Sequence, residues 1–216
     1  MRISELAMAT GASVATVKYY RREGLLPAGV KTSPNQAQYS AEHVRRVRLI
    51  RALLETGGLS VAAAGRVLGR VDDEGAPVEH VFAEAQHAMG DASASNAVPS
   101  AGSVERIGEL AARAGWAVSD ANPGIVQAAL ALDGFAAIDA TVSDAYLSGY
   151  AAAAAVAAGA DMDLLDSRDD RAGVAELMVV GTVLGDPLFA GLRRLAQEQA
   201  SSRARPGGAG SRAVDA

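Results

Sequence analysis

Ile3-Ser4-Glu5-Leu6-Ala7-Met8-Ala9-Thr10-Gly11-Ala12-Ser13-Val14-Ala15-Thr16-Val17-Lys18-Tyr19-Tyr20 is the stretch whose reading decides the fold. Ile3, Leu6 and Ala7 make the inner face of a first helix, which Gly11 ends. Ser13 caps a second helix that turns Val14, Val17 and Tyr20 inward. Two helices crossing steeply over a tight turn need three things. They need a small residue where they approach, a glycine where φ is positive and a branched apolar residue to lock the second helix. Ala7, Gly11 and Val17 supply them in that order. The second helix then exposes Ala15, Thr16, Lys18, Tyr19 and Arg22. Short and polar groups near a helix N-terminus, followed by cations and a phenol, suit entry into a major groove and a grip on flanking phosphates.

Outward from this pair, Gly24-Leu25-Leu26-Pro27 closes the second helix and opens an extended stretch that contains Lys31 and ends at Tyr39. Two short strands joined by a loop there form a wing, which lies against the DNA backbone or minor groove. Ser40 caps a third helix with Val44, Val47, Ile50 and Leu54 inward and Arg45, Arg46, Arg48 and Arg51 on its exposed side. Gly57-Gly58 break that helix, and Ser60 caps a fourth that runs to about Leu68. Charge follows the same division. Residues 1–70 hold eleven Lys and Arg against four Asp and Glu, a net of +7, while residues 71–216 hold nine against twenty-one, a net of −12. A basic head on an acidic body is the asymmetry expected when one part alone meets a polyanion.

The order Ile3-Ser4-Glu5-Leu6-Ala7, Thr10-Gly11, Val17-Lys18-Tyr19-Tyr20, Gly24-Leu25-Leu26-Pro27, Tyr39-Ser40, Leu49-Ile50-Arg51 and Gly57-Gly58-Leu59-Ser60 resembles the MerR family of bacterial transcription regulators. The resemblance covers about the first 70 residues. It implies a homodimer on a pseudo-palindromic double-stranded DNA operator, RNA polymerase at the same promoter, and activation by DNA distortion when an effector binds. It also implies base-edge contacts near Ala15 and Thr16 and phosphate contacts at Lys18, at Tyr19 or Tyr20, and at Lys31. Arg22, Gln38 and Tyr39 complete the expected DNA-binding set, although Tyr20 and Tyr39 read equally well as core residues. The family's wing arginine is replaced here by Ala37 and the tyrosine beside it by Gln36, which implies either weaker non-specific binding or compensation from Gln36, Gln38 and Lys31.

The fold expected is mainly α: a winged helix-turn-helix over residues 1–71, a short helix and flexible linker over 72–102, an all-α bundle over 103–201 and a disordered tail over 202–216. Within the bundle, Ser103 caps a helix to Ala114 and Asn122-Pro123 starts one to about Leu132. Phe135, Ile138, Val142, Tyr146 and Tyr150 recur at helical spacing and predict a further helix to about Gly159. Asp170–Leu184 supplies another, and Asp186-Pro187 starts the last. Trp116, Phe135, Tyr146, Tyr150 and Met178 are the candidates for lining an effector pocket, since pockets favour aromatics with a polar tip, and ordinary core is the competing account. The Ala-rich stretch Ala151–Ala158 serves equally as a helix–helix dimer seam.

Other chemistry has little support. With no cysteine, disulfides and zinc thiolates are excluded. His80, Glu84 and His87 share a helical face and could hold zinc, but such residues are commoner on a solvated or dimer-facing helix, so no metal and no cofactor is expected. The carboxylates Asp161, Asp163, Asp166, Asp169 and Asp170 read as a solvated loop. There is no nucleophile elbow, Walker loop or dinucleotide fingerprint, so no catalytic residue is assigned. No signal peptide or membrane span is evident, and the expected place is the cytoplasm. A module that sequesters a small molecule, with an autoregulatory DNA-binding head, stays open as the alternative.

Overall fold

The computed structural model describes residues 1–33, 36–73, 75–93, 97–168 and 170–203. The sequence readings at Asn35, at residues 94–96 of the linker, at Asp169 and in the tail beyond Arg203 lie outside the described residues. The described chain is mostly helical. In order it forms α1 (Ile3–Thr10), α2 (Val14–Arg22), β1 (Val30–Ser33), β2 (Gln36–Gln38), α3 (Ala41–Arg51), α4 (Val61–Asp72), α5 (Val78–Ser93), α6 (Ala101–Arg113), α7 (Pro123–Ala136), α8 (Asp144–Leu165) and α9 (Arg171–Arg203).

Local chemistry sets the elements of the head. Gly11 takes φ 65° and ends α1, and the Ser13 hydroxyl accepts the Thr16 N–H at 3.0 Å to start α2. Ser40 and His43 form a reciprocal cap on α3, the Ser40 N–H donating to His43 Nδ1 at 3.1 Å. Among the described residues, His43 Nε2 is buried without a partner. Helix α3 passes into a π-helical turn over Ala52–Thr56, then Gly58 turns the chain at φ 69° and Ser60 caps α4. Leu6, Val17, Val47, Ile50, Leu53, Val67 and Leu68 fill the resulting core with at most 1% exposure.

That core is completed from far along the chain. Ala175, Val179 and Val183 on α9 pack with Val81, Ala85 and Ala88 of α5 in the same buried cluster as the helix-turn-helix residues. Arg45 on α3 donates to Glu176 at 2.8 Å across this junction. The first half of α9 is therefore structurally part of the head. By length and composition α9 is also apolar enough to cross a membrane, but its Val179 and Val183 are spent in this core.

The C-terminal helices differ from the sequence reading at three points. Ser100, not Ser103, caps α6, accepting the Ser103 N–H at 3.2 Å. The expected helix carrying Phe135, Ile138, Val142, Tyr146 and Tyr150 is broken. Helix α7 ends at Ala136, Asp139 takes φ 55°, and the Ser143 hydroxyl caps α8. A serine followed by aspartate overrides an apolar period that only coincidentally spans the break. Finally, no helix starts at Asp186-Pro187. Asp170 caps α9 through the Gly173 N–H at 2.8 Å, and the helix runs through Pro187, which has no N–H to give the Val183 carbonyl.

A second, small core of Leu132, Val142 and Leu147 joins α6, α7 and α8. Asp133 tightens it, accepting from the hydroxyls of Ser103 and Ser100, each at 2.7 Å, and from the Ser100 N–H at 2.7 Å. These bonds, the Ser103 hydroxyl first, hold the Asp133 carboxyl below its usual range. A depressed carboxylate contributes stability at pH values above its unfolded pKa and loses it as the pH falls through the folded value. Acid should therefore loosen the α6–α7 junction. In Asp133→Asn this acid-side step should be missing from a circular-dichroism titration, and an unchanged step would assign it elsewhere.

Candidate nucleic-acid interface

Helix α2 stands on the core through Val17, fully buried, and Tyr20, 4% exposed. Its outer face presents Ala15, Lys18 and Arg22, all exposed, with Thr16 and Tyr19 half-buried at the edges. The Thr16 hydroxyl lies 2.8 Å from the Ser13 hydroxyl, which holds it at the N-terminal end of the helix. Arg22 reaches Glu23 at 3.2 Å and stacks over the Tyr19 ring with its guanidinium carbon 5.2 Å from the centroid. Lys18 makes no hydrogen bond or ion pair among the described residues. Arg21, exposed on the same helix, is equally free, and the sequence reading passed over it because it flanks the inner face rather than lying opposite it.

The wing is an antiparallel pair in which Val30 faces Gln38 and Lys31 faces Ala37. Directly opposed residues share a face of the ladder. Exposed Lys31 therefore lies beside Ala37, where the resemblance leads one to expect arginine, and a cation stands on that face. Gln38 is exposed next to it.

Tyr20 and Tyr39 are core residues. Burial, and after it the Glu55 charge in the π-helical turn, push the pKa of the Tyr20 hydroxyl up, while Arg51 at the end of α3 pulls the other way. Tyr39 is 4% exposed, packs edge-on against His43 with centroids 5.1 Å apart, and donates its N–H to the Met1 carbonyl at 2.8 Å. Tyr20→Phe should accordingly leave DNA affinity within about twofold, while Tyr20→Ala should cost roughly 3–5 kcal/mol of stability. A tenfold affinity loss in Tyr20→Phe, measured by fluorescence anisotropy, would return the hydroxyl to the interface.

The four arginines of α3 are internal braces. Arg46 donates to the Leu25 carbonyl at 2.8 Å and grips Asp72 through two bonds of 2.7 and 2.6 Å. Arg51 reaches the Thr10 carbonyl at 2.6 Å and holds Glu55 bidentately. Arg48 donates to the Ala9 carbonyl at 3.2 Å, and Arg45 is taken by Glu176. Two of them thus satisfy carbonyls that the end of α1 leaves open.

The expected effector residues line neither of the two clefts described below. Phe135 and Tyr146 meet edge to face at 6.2 Å, Tyr146 and Tyr150 lie 4.6 Å apart, and Arg193 donates to the Tyr150 hydroxyl at 2.9 Å. All three rings are about 40% exposed, as is Trp116, and Met178 lies half-buried on α9. Two clefts of about 430 and 400 Å³ occur elsewhere. One lies between α3 and the start of α9, lined by Arg45, Arg48, Leu49 and Leu177 among others, and the other lies beside Arg106 and Asp139. Glu84, read with His80 and His87 as a metal trio, is engaged by Arg66 at 2.9 Å.

The family description "MerR HTH family regulatory protein" matches residues 1–70, the helices and wing just described. The chain belongs to the MerR family. The solved structure of the putative transcriptional regulator SCO5550 from Streptomyces coelicolor A3(2) superposes with a TM-score of 0.71 at 31% identity, over 94% of this chain and 97% of that one. The likeness to this putative transcriptional regulator extends through the C-terminal helices. The HTH-type transcriptional regulator ZntR homolog of Haemophilus influenzae is 44% identical over 50 residues, 23% of this chain and 37% of that protein. The mercuric resistance operon regulatory protein of Bacillus cereus is 32% identical over 81 residues, 38% of this chain and 61% of that protein. This chain thus matches little more than a third of the first curated relative's length and under two thirds of the second's. These relatives and the family are regulators of transcription rather than enzymes.

Proposed function

We propose that this regulator binds a pseudo-palindromic operator as a homodimer, with RNA polymerase at the same promoter, and answers to a small-molecule effector through its C-terminal helices. Ala15 and Thr16 are the base-reading residues. Lys18, Tyr19, Arg21, Arg22, Lys31 and Gln38 are the backbone contacts. The observation that carries the reading is the outer face of α2, where the cations Lys18 and Arg21 stand exposed without protein partners while every arginine of α3 is consumed internally. Cations left unpaired on the exposed face of α2 and on the wing suit phosphate.

Residues 1–71 serve as the DNA-binding unit and 103–201 as the responding unit, with the first half of α9 belonging to both. That sharing supports an effector response. An effector that biases the C-terminal helices acts on an element packed against α3, α4 and α5. The test is a footprint on the DNA upstream of the protein's own gene at two salt concentrations. A protected inverted repeat whose occupancy falls with salt is expected, and protection at neither salt would remove the operator reading.

A further inference from the structure

We propose that the cleft between α3 and the first turns of α9 binds a small organic monocarboxylate, and that this ligand takes Arg45 from Glu176. The proposal deepens the effector reading above and rests on it only for its consequence at the operator. The cleft holds about 430 Å³, within the roughly 300–1,000 Å³ of small-molecule sites. It lies where the head meets α9, away from the aromatic residues between Trp116 and Tyr150 that the sequence offered for this role.

The lining joins two chemistries. Arg45, Arg48 and Arg168 supply cations, and Leu49, Ala52, Leu177 and Val180 supply apolar surface. A guanidinium carries five N–H groups, so one bond to the protein leaves most of them open. Arg45 gives one bond to Glu176, and Arg48 gives one to the Ala9 carbonyl. Arg168 is exposed, and its side chain makes no hydrogen bond or ion pair among the described residues. The second cleft has less to offer an anion. Arg106 stands there with Asp139, and its charge is already met by Asp144.

The class of occupant follows from these charges. Among the described lining residues, three arginines face two carboxylates, Asp170 and Glu176, which leaves one positive charge in excess. A monoanion balances it. A dianion or a nucleic-acid backbone would meet both carboxylates at close quarters, and Asp170 is held in place by the Gly173 N–H at 2.8 Å. An inorganic anion would leave the leucines and the valine wet, so the ligand carries an apolar body. A carboxylate suits the head group, because a guanidinium fork takes it through two parallel bonds.

The Arg45–Glu176 pair is open to exchange. Its side chains are 57% and 32% exposed, and an ion pair so exposed contributes little to stability. It nevertheless ties α9 to α3, the helix whose Arg48 braces the end of α1. A ligand that displaces Glu176 therefore alters the tie between the C-terminal helices and the DNA-binding head.

The test is a ligand-observed NMR titration of the full chain with octanoate and with 4-phenylbutyrate at constant ionic strength, beside their uncharged amides and inorganic phosphate. The carboxylates should bind with a Kd of about 0.1–1 mM, and the amides and phosphate at least about tenfold more weakly. Arg168→Glu should weaken carboxylate binding about tenfold or more, whereas Glu176→Gln removes the competitor and should tighten it about threefold. A general loosening of the junction would move both variants in the same direction, and thermal melting establishes that each is folded. Binding of neither carboxylate, equal binding of the amides, or a shared direction in the two variants would overturn the proposal. Carboxylate binding that leaves affinity for the footprinted DNA unchanged would keep this site and sink the effector reading instead.

Discussion

Replacing Gly57 with alanine should lower stability by about 2–3 kcal/mol, because the added methyl has nowhere to go. The backbone there sits at φ −77°, which any residue accepts, so the cost is purely steric. A Cβ would fall 2.0 Å from the Val183 Cγ1 of α9 and 2.9 Å from the Leu53 carbonyl oxygen. For a chain of this length the loss corresponds to a melting shift of roughly 4–12 °C. Val183→Ala removes the closer clash but leaves the Leu53 carbonyl. The Gly57→Ala/Val183→Ala pair should therefore lose less than the sum of the single variants. Equal melting of Gly57→Ala and the parent protein would mean that α9 does not press on the π-helical turn.

The other large effect concerns DNA. Lys18, Arg21, Arg22 and Lys31 offer each half-site up to four phosphate contacts. Displacement of condensed counterions gives a logarithmic salt slope of about −0.9 per phosphate neutralised. For six to eight contacts across a dimer, operator affinity should fall by a factor of about 10³ to 10⁴ between 50 and 200 mM salt. Lys18→Ala should lower the magnitude of that slope by nearly two units, one contact being lost in each half-site, and should weaken all sequences alike. Anisotropy titrations at several salt concentrations give the slope directly. A slope unchanged by Lys18→Ala would remove that residue from the contacts.

The head was legible because its punctuation is local. Gly11, Ser13, Ser40, Gly58 and Ser60 act within three residues of where they stand, and each was read in its role. Tyr20 and Tyr39 were ambiguous because a phenol can serve a core or a phosphate, and burial alone distinguishes the two. The arginines of α3 show a limit of helical periodicity. It marked them as outward, but a side chain that long bends back to carbonyls at Ala9, Thr10 and Leu25, which no spacing rule reveals. In the C-terminal half the apolar period outweighed the Ser143 cap, and Asp186-Pro187 imitated a helix start inside a helix. The docking of α9 onto the head lacks any local signature, since its partners lie roughly ninety to a hundred and thirty residues away.

That docking bears on how the chain is made. The helix-turn-helix and wing leave the ribosome first, yet their interior lacks Ala175, Val179 and Val183 until residue 183 has emerged. At about 5–20 residues per second, the ninety residues after α5 take roughly 5–20 s to synthesise. Throughout that interval the newborn head carries an uncovered apolar groove along α5 beside Gly57. Its final closure is thus a late event in translation, and a chain cut short anywhere before α9 leaves that groove open to chaperones and proteases.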